Sequence, residues 1–171
     1  TATTEIYTRS LHDALPILEA AKEIQSIDNN YHFLFVGDGT QNESLVSFKE
    51  EHELYNVSFL PYQDADVLPY SFASADFGIV SLGSGAEGLS VPSKTFYLLS
   101  AGAAIIAITE PGSEIESLVN ENNCGISIKP KDRSSLVHFL LNSQKKDIEV
   151  NKLNSRELSK KFTKENAKQF L

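Results

Sequence analysis

The sequence contains no methionine, no tryptophan and a single cysteine, Cys124. One cysteine excludes an intrachain disulfide and suits a reducing compartment. No apolar run approaches the roughly 20 residues that a membrane-spanning helix needs. The start lacks a basic segment followed by an apolar stretch, so no signal peptide is read. The expected location is the cytoplasm, with the inner face of the membrane left open. Basic residues are few beside acidic ones, 15 against 23, giving a formal net charge of −8. That balance argues against a nucleic-acid scaffold, yet permits a local basic pocket around one anion. The chain begins at Thr1 without a methionine, and it reads as a piece of something longer.

What is present suits one α/β domain. The 171 residues are 41% apolar and 22% charged, enough for a substantial core. Apolar residues at helical spacing alternate with short β-branched and aromatic runs. Helices are expected over 17–27, with Ile17, Ala20, Ala21, Ile24 and Ile27 on one face, and over 42–55. A short helix is expected over 64–75, broken near Pro69. Further helices are expected over 112–120, capped by Ser113, and over 132–141. Strands are expected over 31–36, 57–60, 76–81, 103–108 and 125–128. The tail from Lys145 reads as a peripheral, helical appendage. Strands alternating with helices predict a Rossmann-like parallel sheet of about five strands with helices on both faces. Ligands of such sheets sit beyond the C-terminal ends of the strands. Gly37-Asp38-Gly39, Pro61-Tyr62, the 82–94 loop and Glu110-Pro-Gly-Ser113 should therefore share one rim.

The stretch from Gly85 to Gly102 carries the most chemistry. Gly85 and Gly88 allow close approach of backbone to a ligand. Pro92 keeps Val91 extended. Ser93 is a good N-cap, Lys94 to Ser100 form a short helix, and Gly102 ends it. Such a helix start favours an anion. Lys94 in its first turn is the wrong charge for the helix dipole, which makes sense with an anion in front of it.

Other chemical groups are given plainer roles. Asp64-Ala-Asp66 has the spacing of a cation-holding pair, but carboxylates at a helix start need no metal. Asp76 ends a helix or caps a turn. Cys124 reads as a small buried residue. His32, His52 and His138 are scattered on different elements, which suits neither a metal nor a proton relay.

The first seventeen residues stand apart. Tyr7-Thr-Arg-Ser-Leu-His-Asp-Ala-Leu-Pro-Ile17 resembles the translation of a DNA-sequencing adapter, differing only by Arg9 for Leu, and Thr4-Glu-Ile6 continues the likeness. Residues 1–17 are accordingly expected to be non-native and are set aside as a tag would be. His12, Asp13 and Arg9 are rejected as site residues on that ground. The domain is then expected over 18–171.

The order of motifs in the remainder resembles the C-terminal, donor-binding half of a GT-B glycosyltransferase, of the retaining family-four group. The run comprises Leu18-Glu-Ala-Ala, Phe33-Leu-Phe-Val-Gly-Asp-Gly39, Asn56-Val-Ser-Phe-Leu-Pro-Tyr62 and Ala73-Ser-Ala-Asp-Phe-Gly78. It continues through Val91-Pro-Ser-Lys94, Ala101-Gly102, Ile105-Ile106, Glu114-Ile115 and Cys124-Gly-Ile126. The Val-Pro-Ser-Lys form is similar to enzymes of bacterial capsule, O-antigen and exopolysaccharide synthesis.

That resemblance implies a nucleotide-sugar co-substrate, UDP- or GDP-linked, with no cofactor and no metal. The base would lie near Pro61 and Tyr62. The diphosphate would lie against Gly88, Leu89, Ser90, Ser93 and Lys94, with Gly37 and Gly39 lining the same rim. The sugar would lie near Glu87, the candidate catalytic contact. The family's ribose-gripping glutamate falls at Tyr97 here, and a phenol offers only one donor hydrogen. Its first glutamate falls at Leu89 by strict spacing, two residues after Glu87. A strand that supplies basic clamps should precede Leu18, where the adapter-like peptide stands. The acceptor-binding N-terminal domain is the missing partner, and no nucleic-acid partner is expected. A fragment of this kind should not turn over alone. A GT-B epimerase half, or a non-enzymatic doubly wound signalling domain, stays open as the alternative.

Overall fold

The computed structural model describes residues 2–6, 11–37, 42–82 and 91–162. The order of elements is β1 (Ala2–Ile6), α1 (Leu11–Gln25), β2 (Tyr31–Val36), α2 (Asn42–Glu51), β3 (Val57–Leu60), α3 (Leu68–Ser74) and β4 (Phe77–Ser81). Then follow α4 (Ser93–Ala101), β5 (Ala104–Ile108), α5 (Glu114–Glu121), β6 (Gly125–Ile128), α6 (Arg133–Asn142) and α7 (Lys145–Ser159). The strands form one sheet in the order β3-β2-β1-β4-β5-β6, with every ladder parallel. Parallel strands joined through helices bury both faces of the sheet. The expected five strands became six because Ala2–Ile6, within the first seventeen residues that were set aside, pairs with both β2 and β4.

The burial pattern explains why β5 reads as an unbroken apolar run. All five of its residues are buried. Ala104, Ile106 and Ile108 join the core under α1, α2 and α6, together with Ile17, Leu18, Phe33 and Phe77. Ile105 and Ala107 face the opposite way, into a second core with Phe72 of α3, Leu98 and Leu99 of α4, Ile115 of α5 and Leu158 of α7. Alternation along a strand sends successive side chains to opposite cores.

Several expected boundaries moved. Helix α3 begins only at Leu68, with Pro69 in its first turn, where a missing N–H costs nothing. Residues 64–67 form a turn in which the Val67 and Leu68 N–H groups donate to the Asp64 carbonyl. Helix α2 stops at Glu51, and the chain then reverses through Glu53 at φ 50°. Ile27 lies beyond the end of α1 and is 61% exposed, so it does not extend the buried stripe. Residue 18 lies inside α1, which already runs from Leu11.

The tail is more integral than its composition suggested. Helix α7 packs on α4, with Ser155 and Leu158 buried. The Lys152 ammonium lies 3.0 Å from the Asp76 carboxylate, just before β4. Asn154 donates to the Asn123 carbonyl. Asp76 therefore takes an ion-pair partner rather than serving only as a turn cap. No helix among the described residues is long and apolar enough to cross a membrane.

Candidate functional site

The strand order reverses direction between β1 and β4. The connection from β1 leads through α1 to β2 on one side, and that from β4 leads through α4 to β5 on the other. In doubly wound sheets a crevice opens at this switch point, beyond the C-terminal ends of the strands. Helix α4 starts there.

The start of α4 is built differently from those of α5 and α6. Ser113 caps α5, its hydroxyl accepting from the Glu116 N–H at 3.2 Å. The Glu116 carboxylate reaches back to the Gly112 N–H, and the buried Thr109 hydroxyl donates to Ser113 Oγ at 2.8 Å. Asp132 caps α6, accepting from both the N–H and the hydroxyl of Ser135. Those two donors hold the Asp132 carboxyl below its ordinary range. Both helices thus satisfy their own donors, and α5 adds two acidic residues in its first turn. Helix α4 has no side-chain cap and no acid in its first turn. Its first N–H groups have no intrahelical acceptors, as at any helix start.

Ser93 does not act as the expected cap. Pro92 takes the boundary position at φ −56° and ψ 136°, which moves Ser93 into the helix as its first residue. Proline has no side-chain acceptor, so the cap position offers the helix nothing. The Thr95 N–H donates to the Pro92 carbonyl at 2.9 Å, tightening the first turn. Ser93 is exposed and Lys94 half-buried beside it. At the other end Gly102 terminates the helix as expected, at φ 77°, its N–H donating to the Leu98 and Leu99 carbonyls.

The other predicted site residues fall into three groups. Tyr97 lies one turn beyond Ser93, 61% exposed, with its ring parallel to that of buried Phe72. Gly37 closes β2 at φ 135°, a conformation that favours glycine, and its N–H donates to the Leu60 carbonyl. Pro61 and Tyr62 are exposed directly after β3. Strand β3 is three ladders from β4, or about 14 Å at the usual strand spacing. Gly39, Glu87, Gly88, Leu89 and Ser90 lie outside the described residues. The structure therefore brings Ser93, Lys94 and Tyr97 together on one helix and leaves Gly37, Pro61 and Tyr62 farther along the rim.

Two polar groups near this crevice were missed. Ser81 Oγ at the end of β4 and Thr95 Oγ1 in the first turn of α4 are both buried without a hydrogen-bond partner. The signal for Thr95 was present in the sequence: it precedes Leu98 and Leu99 by three and four residues, on the buried stripe. Cys124 is fully buried, and burial pushes its thiol up to about 11, so it is no nucleophile at neutral pH.

The sequence profile of the family described as Glycosyl transferases group 1 matches residues 8–143. The chain belongs to that family. Among its relatives is the probable glycosyltransferase WbjE of Pseudomonas aeruginosa, 28% identical over 108 residues. That alignment covers 63% of this chain and 27% of the relative, so the chain spans about a quarter of WbjE's length. Two solved structures share the fold. The C-terminal domain of LpcC, a glycosyl transferase group 1 family protein from Francisella tularensis, aligns with a TM-score of 0.73 at 17% identity, covering 94% of this chain and 85% of that one. Anabaena HepE, solved in complex with UDP-glucose, aligns with a TM-score of 0.76 at 16% identity, covering 93% of this chain and 44% of HepE. In this group 1 domain the start of α4, unlike those of α5 and α6, carries no side-chain cap among the described residues.

Proposed function

We propose that this chain is the donor-binding half of a glycosyltransferase that moves a sugar from a nucleotide-sugar to an acceptor in surface-polysaccharide synthesis. The observation that carries the reading is the start of α4 at the sheet's switch point, uncapped by any side chain and basic through Lys94. A diphosphate seated there would accept from the helix amides and face the Lys94 ammonium. The same groups would stabilise charge on the departing nucleoside diphosphate, since preorganised donors act most strongly where negative charge develops. No metal or cofactor enters this reading. Glu87 is the proposed sugar contact, and Pro61 with Tyr62 the proposed base contact. The match to a C-terminal domain from Francisella tularensis supports the assignment to the donor half. The acceptor would be held by a further domain, and the 171-residue chain alone should transfer no sugar.

Calorimetric titration with UDP and GDP tests the reading. One of them should bind, and Lys94→Ala should weaken it by about tenfold, as expected for a hydrogen bond to a charged group. If neither nucleotide binds at millimolar concentration, the donor-half reading fails.

A further inference from the structure

The Thr95 hydroxyl is one of three buried side-chain polar atoms without a partner among the described residues, beside Asn56 Oδ1 and Ser81 Oγ. Its residue is 0% exposed, yet Oγ1 has no hydrogen-bond partner. Buried hydroxyls are almost always paired, because an unpaired one keeps its desolvation cost with nothing to offset it. Threonine within a helix can donate back to the carbonyl one turn earlier. Here it does not. Replacing it with valine would keep the shape and remove the cost, so the threonine needs a reason.

Its position supplies one. Thr95 is the third residue of α4, on the stripe shared with Leu98 and Leu99. In an α-helix the Cα–Cβ bond leans toward the N-terminus and lays the side chain over the preceding turn. For Thr95 that turn is Pro92 to Lys94, where the amide groups of the helix start gather. The direction of the side chain and the position of the donors thus converge on one place. Ser81 Oγ, also unpaired, lies on the opposite side: it shares the parity of Phe77 and Ile79, which face the core under α1.

We infer that the Thr95 hydroxyl donates a hydrogen bond to the phosphate group held at the start of α4, its missing acceptor being a phosphate oxygen of the ligand. The inference rests on the reading of α4 as the diphosphate site and adds a side-chain donor to the helix amides and Lys94. A neutral donor to an anionic oxygen forms a charge-assisted bond, stronger than an ordinary one. The stability lost to an orphaned hydroxyl in the empty site is thereby recovered only when the anion is bound. Function and stability then pull in opposite directions at this residue.

The test uses the full 171-residue chain with Thr95→Val, Thr95→Ser and Thr95→Ala, titrated with UDP and GDP and melted without ligand. Thr95→Val should weaken binding by about tenfold or more, while its ligand-free melting temperature equals or exceeds that of the parent. Thr95→Ser should bind within about twofold of the parent. A Thr95→Val variant that binds within about threefold of the parent overturns the inference and leaves the diphosphate reading standing. If Thr95→Val does not fold, Thr95→Ser and Thr95→Ala decide the matter, since they differ only in the hydroxyl. Equal binding by those two overturns it. A parent chain that binds neither nucleotide removes the diphosphate reading itself, and this inference with it.

Discussion

The rings of Phe72 on α3 and Tyr97 on α4 lie parallel, 11° apart in plane and 6.1 Å between centroids. Phe72 is buried and Tyr97 is exposed, so one face of the tyrosine is packed and the rest is open to the rim. The pair should divide stability from binding. Phe72→Ala should cost about 3 kcal/mol, as for a buried aromatic in a well-packed core. Tyr97→Ala should cost about 1 kcal/mol or less, the scale of an aromatic pair at the surface. Urea unfolding of the two variants checks this, and a larger loss at Tyr97 than at Phe72 would contradict it.

Gly102→Ala should destabilise the chain by about 1–2 kcal/mol from left-handed backbone strain alone. At φ 77° a side chain is disfavoured, and an added Cβ would also lie 2.3 Å from Arg156 Nε of α7. Arg156→Ala in the same chain removes the collision but leaves the strain. The double variant should therefore recover part of the loss and no more, as read from the midpoint of a denaturant transition.

Ser113 serves two partners, the N–H of Glu116 and the buried hydroxyl of Thr109. Ser113→Ala removes the cap and leaves Thr109 with only the poorer contact of 3.4 Å to the Glu110 carbonyl. The expected cost is about 2 kcal/mol, roughly half for each loss. In Thr109→Val chains the same Ser113→Ala change should cost only about 1 kcal/mol. A thermal or chemical melt of the four chains measures the coupling directly.

His32 gives the chain a pH-dependent stability. Its pKa is lowered, first by burial and then by the charge of Lys49, and its Nε2 lies 2.9 Å from Ser58 Oγ. The unfolded chain takes up this proton near pH 6.5, whereas the folded chain takes it up only at lower pH. Between those values the unfolded state binds more protons, so stability rises with pH. The contribution is complete above about pH 6.5 and is lost as pH falls through the folded pKa. Urea midpoints between pH 7.5 and 5.0 should fall more steeply for the parent than for His32→Gln. Parallel curves would show that His32 contributes nothing to the slope.

Regular alternation was legible from sequence alone. Strands β2, β3 and β6 fall on the expected residues, and the Ser113 cap and Gly102 stop hold, because each depends on side chains close in sequence. Helix ends that depend on tertiary contact were less legible. Tail residues 145–159 look polar and peripheral, yet Leu158 and Ser155 are buried in a helix that packs on α4, which ends more than fifty residues earlier. Local composition carries no record of such a partner. Ser93 was misjudged by one position, because proline and serine compete for the same boundary and only the backbone angles decide. Thr95 sits at core spacing before Leu98 and Leu99, and only the structure shows that its buried hydroxyl has no partner. The first strand was lost for another reason: its likeness to an adapter spoke to origin, and hydrogen bonding in a parallel ladder draws on backbone groups that every residue carries.

Strand β1 makes both ladders that join the β3-β2 pair to the β4-β5-β6 triplet. Without it two inner edges would open facing one another, and a lone pair of strands has little stability in water. An opened slot of that kind is a template for whatever extended chain reaches it, whether a neighbour's strand or an added peptide. Complementation follows as a property of the architecture. A chain shortened by its first ten residues should self-associate on gel filtration, and a peptide carrying residues 2–6 should return it to a monomer.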